Sequence, residues 1–542
     1  MAAKIVAILS ILPRLSTFQK GILMTRKFIF ALLLASLPLC AATPSKALKN
    51  LDATVRRTLQ TFNVPGIALA IVHDGEVVLA KGYGVRRLGE TTPVDGQTLF
   101  AIASNTKAFT ATALGLLVEE GKLQWDAPVI RYLPAFRLSD PWVTAEITIR
   151  DLLVHRSGLG LGAGDLLWWP PTDYSREEIV RRLQFLPLAR SFRSAYAYDN
   201  VLYTVAGQVI ETVSGQSWED FIRNRILTPA GMTHSLVRRS EILTAANVAT
   251  PHAEIDGTLQ IVKPFVNDNV GAAGAIISCA DDMAQWMIVQ LDSGRLADGA
   301  RLFKSSTTRQ LWGYVTPRPI YDPPPQLAPL RANFLGYALG FELRDYRGFK
   351  LVSHTGGLPG YVSRLALIPE KRLGVMVLTN QESGYAFNAL VYDVLDRFLA
   401  APAFDWVGAY ARVKTKADSS QAGAEQNTLA ARNTDSKPSL PLAQYAGTYA
   451  DAWYGDIVIE TAGQGLVMRF TRTPSLVGDL EHWQYDTFVA RWRERELRAD
   501  AFVTFALTPE GRIDCVQMKA VSQSTDFSFD FQDLLLKPKS DK

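Results

Sequence analysis

A serine and a lysine stand three residues apart in AIASNTKAFT, residues 101–110, where a loop gives way to helical spacing. The pair has two readings. A serine hydroxyl attacks a carbonyl readily only when a base takes its proton, and a lysine amine one helical turn away can be that base once burial and nearby positive charge lower its pKa. Equally, Ser104 can be an ordinary helix N-cap, with Lys107 a solvated side chain behind it. One such pair is expected by chance in a long chain, so the spacing carries little weight by itself. Two other groups add to it: Tyr198-Asp199-Asn200, in a loop entering a helix, and His354-Thr355-Gly356, after a strand pattern. A phenol can relay a proton between nucleophile, amine and leaving group, and an amide can bond both an amine and a substrate carbonyl. Their bland readings are a core aromatic, a helix cap and a packed histidine.

These groups need elements to hold them. Residues 66–84, GIALAIVHDGEVVLAKGYG, predict two antiparallel strands around an Asp74-Gly75 hairpin turn. After Lys107, apolar residues at Phe109, Ala113, Leu116 and Leu117 follow helical spacing and stop at Gly121, which predicts a helix with Ser104 at its start. From Asp151 to about Gln290 the pattern is mostly helical and loop-rich, including ITIRDLLVHRSGL, SREEIVRRLQFL and YTVAGQVIETVSG. Strands return from Leu335 to Leu378, and AFNALVYDVLDRFLA predicts a closing helix. Strands at both ends with helices between them imply one sheet completed by both ends of a domain, with a helical insertion.

The length, 542 residues, exceeds one ordinary core and predicts about two to four domains. With 48% hydrophobic and 20% charged residues the chain is globular. A net charge of +4, with no dense basic run interleaved with aromatics, argues against nucleic-acid binding; RWRERELR mixes both signs and reads as a solvated strand or turn. Residues 1–42 read as an upstream extension and a secretory signal peptide. Met24 is the expected true start, followed by Arg26 and Lys27, an apolar run from Phe28 to Leu39, and small residues at Cys40, Ala41 and Ala42. That run is too short to span a bilayer. The expected location is periplasmic or secreted, with no integral membrane segment after processing; bulky Leu39 disfavours a lipoprotein signal ending at Cys40. Cys279 and Cys515 fall in different predicted domains, so no disulfide framework is expected. The six histidines show no metal-binding spacing, and neither metal nor cofactor is expected.

Residues 412–440, polar and small-residue-rich, read as a linker between a domain at 45–411 and a final one at 441–542. Short alternating segments in the latter predict an all-β module, sandwich or barrel. His155 reads as structural, and Trp168-Trp169-Pro170 as loop packing or the wall of an acyl-binding cleft.

In this order, and spaced by about a hundred and then about a hundred and fifty residues, S-x-x-K, Y-x-N and H-T-G resemble the serine β-lactamase and penicillin-binding-protein superfamily. The branch is that of class C β-lactamases, D-alanyl-D-alanine carboxypeptidases and related esterases. DLLVHRSGLG, LTPAGMTHS and AAGAIISCADDMAQW are similar to phrases of that family. The final module is similar to the lipocalin-like domains attached to some of these hydrolases. The resemblance implies an α/β (α+β) fold, an antiparallel sheet flanked by helices, and a serine hydrolase working through an acyl-enzyme. Ser104 would be the nucleophile, with Lys107 and Tyr198 the proton carriers, their order open. The backbone N–H groups of Ser104 and Gly357 would form the oxyanion hole, aided at Ser104 by the helix dipole. Asn200, His354, Thr355 and Gly356 would contact a small-molecule or peptide substrate. His354 departs from the lysine usual at its position, so a substrate carboxylate would meet a pH-dependent imidazole. A penicillin-binding-protein-like peptidase is the implied activity. β-Lactamase or carboxylesterase activity is the alternative, and a non-catalytic binding protein the rival from another class. Oligomeric state is left open.

Overall fold

The computed structural model describes residues 44–539. The signal-peptide reading of residues 1–42 therefore lies outside the described residues. The hairpin forms as its turn chemistry demands: β1 (Gly66–His73) and β2 (Glu76–Gly84) are joined by Asp74 and Gly75 with φ of 53° and 84°, the left-handed pair that suits strand twist. Both ends of the domain then supply one eight-stranded sheet. Its other strands are β3 (Thr316–Pro317), β4 (Leu335–Tyr337), β5 (Glu342–Tyr346), β6 (Phe349–Leu358), β7 (Tyr361–Ile368) and β8 (Leu373–Thr379). The order is β2-β1-β8-β7-β6-β5-β4-β3, with antiparallel pairing throughout.

Alternation along β1 divides the core in two. Ile67, Leu69 and Ile71 face a layer built from α1 (Leu51–Phe62) and later C-terminal helices. Ala68, Ala70 and Val72 face the helical insertion, whose principal helices are α2 (Thr106–Glu119), α3 (Val201–Ser214) and α4 (Ala280–Leu291). The closing helix is α5 (Gly384–Phe398). Within ITIRDLLVHRSGL the expected helix is only a short 3-10 turn, Asp151–Leu153. The buried Asp151 carboxylate takes the Thr148 N–H and hydroxyl, and His155 sits at φ 56°, which stops helical propagation.

The stretch expected to be a linker is largely helical. Residues 412–430 continue a single helix, α6 (Trp406–Ala430), started by the Asp405 carboxylate accepting from Gly408 N–H. Trp406, Val407, Ala409 and Tyr410 are buried, and most of the rest is exposed. Residues 412–430 lack an apolar stripe, but Ala, Lys, Gln and Glu are strong helix formers without one. Irregular chain follows only from about residue 432.

The final module is a closed barrel of eight consecutive antiparallel strands: β9 (Gly447–Asp451), β10 (Gly455–Ala462), β11 (Gly465–Phe470), β12 (Val477–Gln484), β13 (Thr487–Trp492), β14 (Ala501–Leu507), β15 (Ile513–Ala520) and β16 (Leu535–Pro538). Closure removes the edges that an open sheet would expose. Tyr445, Phe488 and Phe505 pack ring to ring in its core, and Phe531 stacks on Trp492. RWRERELR ends β13 and enters a short turn; Arg491, Arg493 and Arg495 pair with Asp479, Glu481 and Asp500, and Arg498 with Glu382. Among the described residues no helix is long and apolar enough to cross a membrane.

Candidate active site

Ser104 lies in a 3-10 turn, Ala103–Asn105, that leads into α2 and makes no side-chain cap. The turn is held on three sides. Ile102 N–H donates to the Ile276 carbonyl, Asn105 donates to Ser363 on β7, and Thr106 accepts from Ile276 N–H. Ala103 is forced to φ 49°, a conformation a non-glycine residue adopts only where its surroundings impose it. Gly356 completes the fit: a Cβ there would lie 2.1 Å from the Ile102 carbonyl oxygen. Only a glycine lets β6 come this close to the nucleophile turn. The next residue, Gly357, is exposed and faces open space. β5 pairs with β6 only over Phe349–Ser353, so beyond that register β5 leaves the edge of β6 free.

Lys107 is the opposite of a solvated lysine. It is completely buried, and its Nζ sits 3.0 Å from Ser104 Oγ, 2.7 Å from Asn200 Oδ1 and 3.0 Å from the Ala273 carbonyl. Burial lowers its pKa to about 7 against the opposing pull of Asp165 and Asp199, and Arg239 lowers it further. A protonated amine has three hydrogens for these three acceptors. Once neutral, it keeps two for Asn200 and Ala273, and its lone pair is left for the Ser104 hydroxyl proton.

Asn200, at the start of α3, makes no helix cap either. Its Nδ2 donates to Asp165 Oδ2 at 2.8 Å, which turns Oδ1 toward Lys107. Tyr198 is half-buried, its ring 4.8 Å from Lys107 Nζ and 4.2 Å from the His155 ring. Desolvation pushes its phenol well above the ordinary value, and hydrogen bonding to Ser104 draws it partly back. His155 is structural in the expected sense: fully buried, it accepts Asp199 N–H on Nδ1 and backs the Tyr198 ring.

The resemblance implies a substrate contact at His354. Its ring is buried, and Nδ1 lies 2.5 Å from the Thr355 carbonyl, which can only accept, so Nδ1 carries the hydrogen. Nε2 then accepts from Tyr337 O–H at 2.7 Å. Burial lowers the pKa to about 4. The imidazole is thus neutral and occupied, and offers a substrate carboxylate no charge. Thr355 is half-buried beside it.

Trp168 and Trp169 divide the two roles weighed for them. Trp168 Nε1 donates to Asp165 Oδ1, whereas Trp169 stacks on Phe265 and lines, with Tyr198 and Gly357, a cleft of 2660 Å³ between the domains.

Asp165, Arg239 and the Ala273 carbonyl escaped the sequence reading. Asp165 had one faint signal, an acid between glycines and the apolar run LLWW with no basic neighbour. The sole candidate metal-ligand trio among the described residues is His234, Cys279 and Asp282. Asp282 already accepts from His234 N–H and Ser235 O–H, and burial pushes the Cys279 thiol up to about 12. Asp282 thus ties the 234–235 segment to the start of α4.

Sequence and fold comparisons identify the family and the fold. The Beta-lactamase family profile matches residues 51–396, and a domain of unknown function, DUF3471, matches residues 431–538. Unguisins hydrolase ungD of Aspergillus violaceofuscus is 30% identical over 503 residues, 85% of this chain and 86% of that protein. Protein flp of Staphylococcus aureus is 26% identical, covering 62% of this chain and 64% of its own. Among solved structures, the octameric penicillin-binding-protein homologue of Pyrococcus abyssi matches with a TM-score of 0.57 at 22% identity, covering 90% of this chain and 100% of its own. The D-amino acid amidase of Ochrobactrum anthropi matches at 0.53 and 23% identity, covering 65% and 97%. With the family profile spanning well over half its length, the chain belongs to the Beta-lactamase family and is a serine hydrolase of the β-lactamase and penicillin-binding-protein fold.

Proposed function

We propose that the protein is an exported hydrolase that cleaves amide bonds of small peptides or amino-acid amides through an acyl-enzyme on Ser104. The observation that carries this reading is the completely buried Lys107 amine, 3.0 Å from Ser104 Oγ. Lys107, with its pKa lowered to about 7, takes the Ser104 proton as Oγ attacks the carbonyl carbon. The N–H groups of Ser104 and Gly357 receive the oxyanion. Tyr198, whose raised pKa keeps it protonated, returns a proton to the departing amine. Lys107 passes the Ser104 proton on to Tyr198, which restores both groups; water then attacks the ester carbonyl, gives its proton to neutral Lys107, and Ser104 Oγ takes that proton as it leaves the acid. This assigns Lys107 as first base and Tyr198 as acid. Asn200, Thr355 and Gly356 line the approach of the substrate carbonyl.

A neutral His354 favours substrates without a carboxylate at that position, which ranks amides and esters above penicillins. The names of the relatives, an unguisins hydrolase and a D-amino acid amidase, support amide chemistry. Export rests on the leader pattern, and an N-terminus of secreted material beginning before about Ala41 would refute it.

The test is covalent labelling by a fluorescent fluorophosphonate, run with turnover of D-phenylalanine amide, a p-nitrophenyl ester and nitrocefin. The native protein labels and releases ammonia or nitrophenol faster than it opens nitrocefin; Ser104→Ala does neither. Turnover retained in Ser104→Ala would overturn the nucleophile. An unlabelled native protein would favour a binding protein.

A further inference from the structure

The barrel sends one segment into the other domain. Over residues 527–531 successive side chains point alternately into different places. The Phe527 ring lies 5.9 Å from that of Tyr198 and lines the cleft. Ser528, buried, donates its hydroxyl to Asp165 Oδ2 at 2.8 Å. Phe529 packs on Trp169. Asp530, also buried, accepts Gly164 N–H at 2.7 Å and Leu166 N–H at 2.9 Å, one on each oxygen. Phe531 returns to the barrel core against Trp492. The contact is tight: a Cβ on Gly162 would lie 2.6 Å from the Phe527 carbonyl oxygen, and Gly162 N–H holds the Tyr198 carbonyl.

The hydrogen-bond directions along this path are fixed by chemistry. Asp165 Oδ2 accepts from both Ser528 and Asn200, and Oδ1 accepts from Trp168. Above about pH 7, where Asp165 is ionised and can only accept, it sets the Asn200 amide with Nδ2 inward and Oδ1 on Lys107. We propose that the C-terminal barrel is a working part of the hydrolase active site, with Ser528 and Asp530 as positioning residues that hold Asp165, and through Asn200 the Lys107 amine, in its base geometry. The proposal rests on the Ser104–Lys107 reading given above. It assigns to the barrel, which the family description leaves without a function, a reason to be attached where it is.

The groups facing Asp165 and Lys107 from the elements around them are Asp199, His155, Tyr198, Tyr203, Arg239, His354 and Asp530. Of these Asp530 comes from the barrel. Loss of the Ser528 hydroxyl removes a donor from the ionised Asp165, raises its pKa, and so weakens the negative charge that supports protonated Lys107. The acid limb of Ser104 reactivity, set by Lys107, therefore moves to lower pH while the plateau rate falls because Asn200 loses its fixed orientation.

The experiment measures the rate of fluorophosphonate labelling against pH in the full chain. Ser528→Ala is expected to label about tenfold more slowly on the plateau, the size of one hydrogen bond to a charged group, with its acid limb displaced downward. Ser528→Thr, which keeps the hydroxyl, restores both. A merely structural role would lower thermal stability without moving the limb. A folded Ser528→Ala with native plateau and native limb overturns the proposal. If Ser528→Ala does not fold, the same reading is taken on Asp530→Asn, which keeps the shape and one acceptor; a native profile there overturns it equally. Ser104→Ala separates the two failures. Labelling that survives in Ser104→Ala sinks the nucleophile, whereas a native profile in Ser528→Ala beside an unlabelled Ser104→Ala sinks only the barrel's part.

Discussion

Asp151 and Asp165 are both fully buried, lie fourteen positions apart in the same loop-rich region, and titrate in opposite directions. Asp151 is gripped by the Arg193 and Arg156 guanidinium groups and by Thr148, and its pKa is held below the usual carboxylate value despite burial. Asp165 receives only neutral donors, from Asn200, Trp168 and Ser528, and burial raises its pKa to about 7. The nearest cation acting on it is Lys107, itself desolvated. Burial alone therefore does not decide what an acid does; its partners do. The first aspartate is a strut, whereas the second belongs to a site kept electrically out of balance.

Variants can break this contrast. The largest effect is expected for Lys107→Ala, which removes the base and should lower labelling and turnover by about 10²–10⁴-fold; a loss under tenfold would return Lys107 to a structural role. Asp151→Asn comes next. It leaves two part-exposed arginines without their carboxylate and should cost about 2–3 kcal/mol in urea unfolding, with the labelling rate of folded molecules unchanged. Asp165→Asn should do the reverse, slowing labelling about tenfold while shifting stability by about 1 kcal/mol or less. If both aspartates behaved alike, the distinction drawn between them would be void.

Their pH dependences should also have opposite signs. The Asp151 contribution is present above the unfolded carboxylate pKa and is lost as pH falls through its lowered folded value, so the gap between native and Asp151→Asn closes in acid. For Asp165, between the unfolded value of about 4 and the folded value of about 7, the folded state holds a proton that the unfolded state has released. Stability falls as pH rises across that window, and Asp165→Asn should flatten the slope. Urea midpoints measured against pH read both. The smallest effect concerns His354: with its own pKa near 4, His354→Gln should leave the acid limb of labelling where Lys107 puts it, at about 7. A displaced limb would make the imidazole part of the proton circuit.

Much of this was legible in the residues. The Asp74-Gly75 hairpin, the helix from Thr106 stopped near Gly121, the strands of residues 335–379 and the closing helix are local events, set by turn chemistry and periodicity. The helix at 412–430 was missed because its formation depends on propensity without a buried face, and low hydrophobicity looks the same in a linker and in a solvent-facing helix. The resemblance implies a substrate contact at His354; which way its ring turns depends on Tyr337, seventeen residues earlier in the chain.

The sequence by itself determined which residue types were present to do chemistry and which elements would carry them, since a serine–lysine turn, a tyrosine–asparagine pair and a glycine able to accept a close strand are properties of local chain. Tertiary structure alone decided the protonation states, because desolvation of Lys107 and the pairing of Asp165 depend on groups brought together from residues 200, 273 and 528. A pKa is set by the solvent and charges within a few ångströms, and those neighbours are distributed along the chain in no order that spacing records.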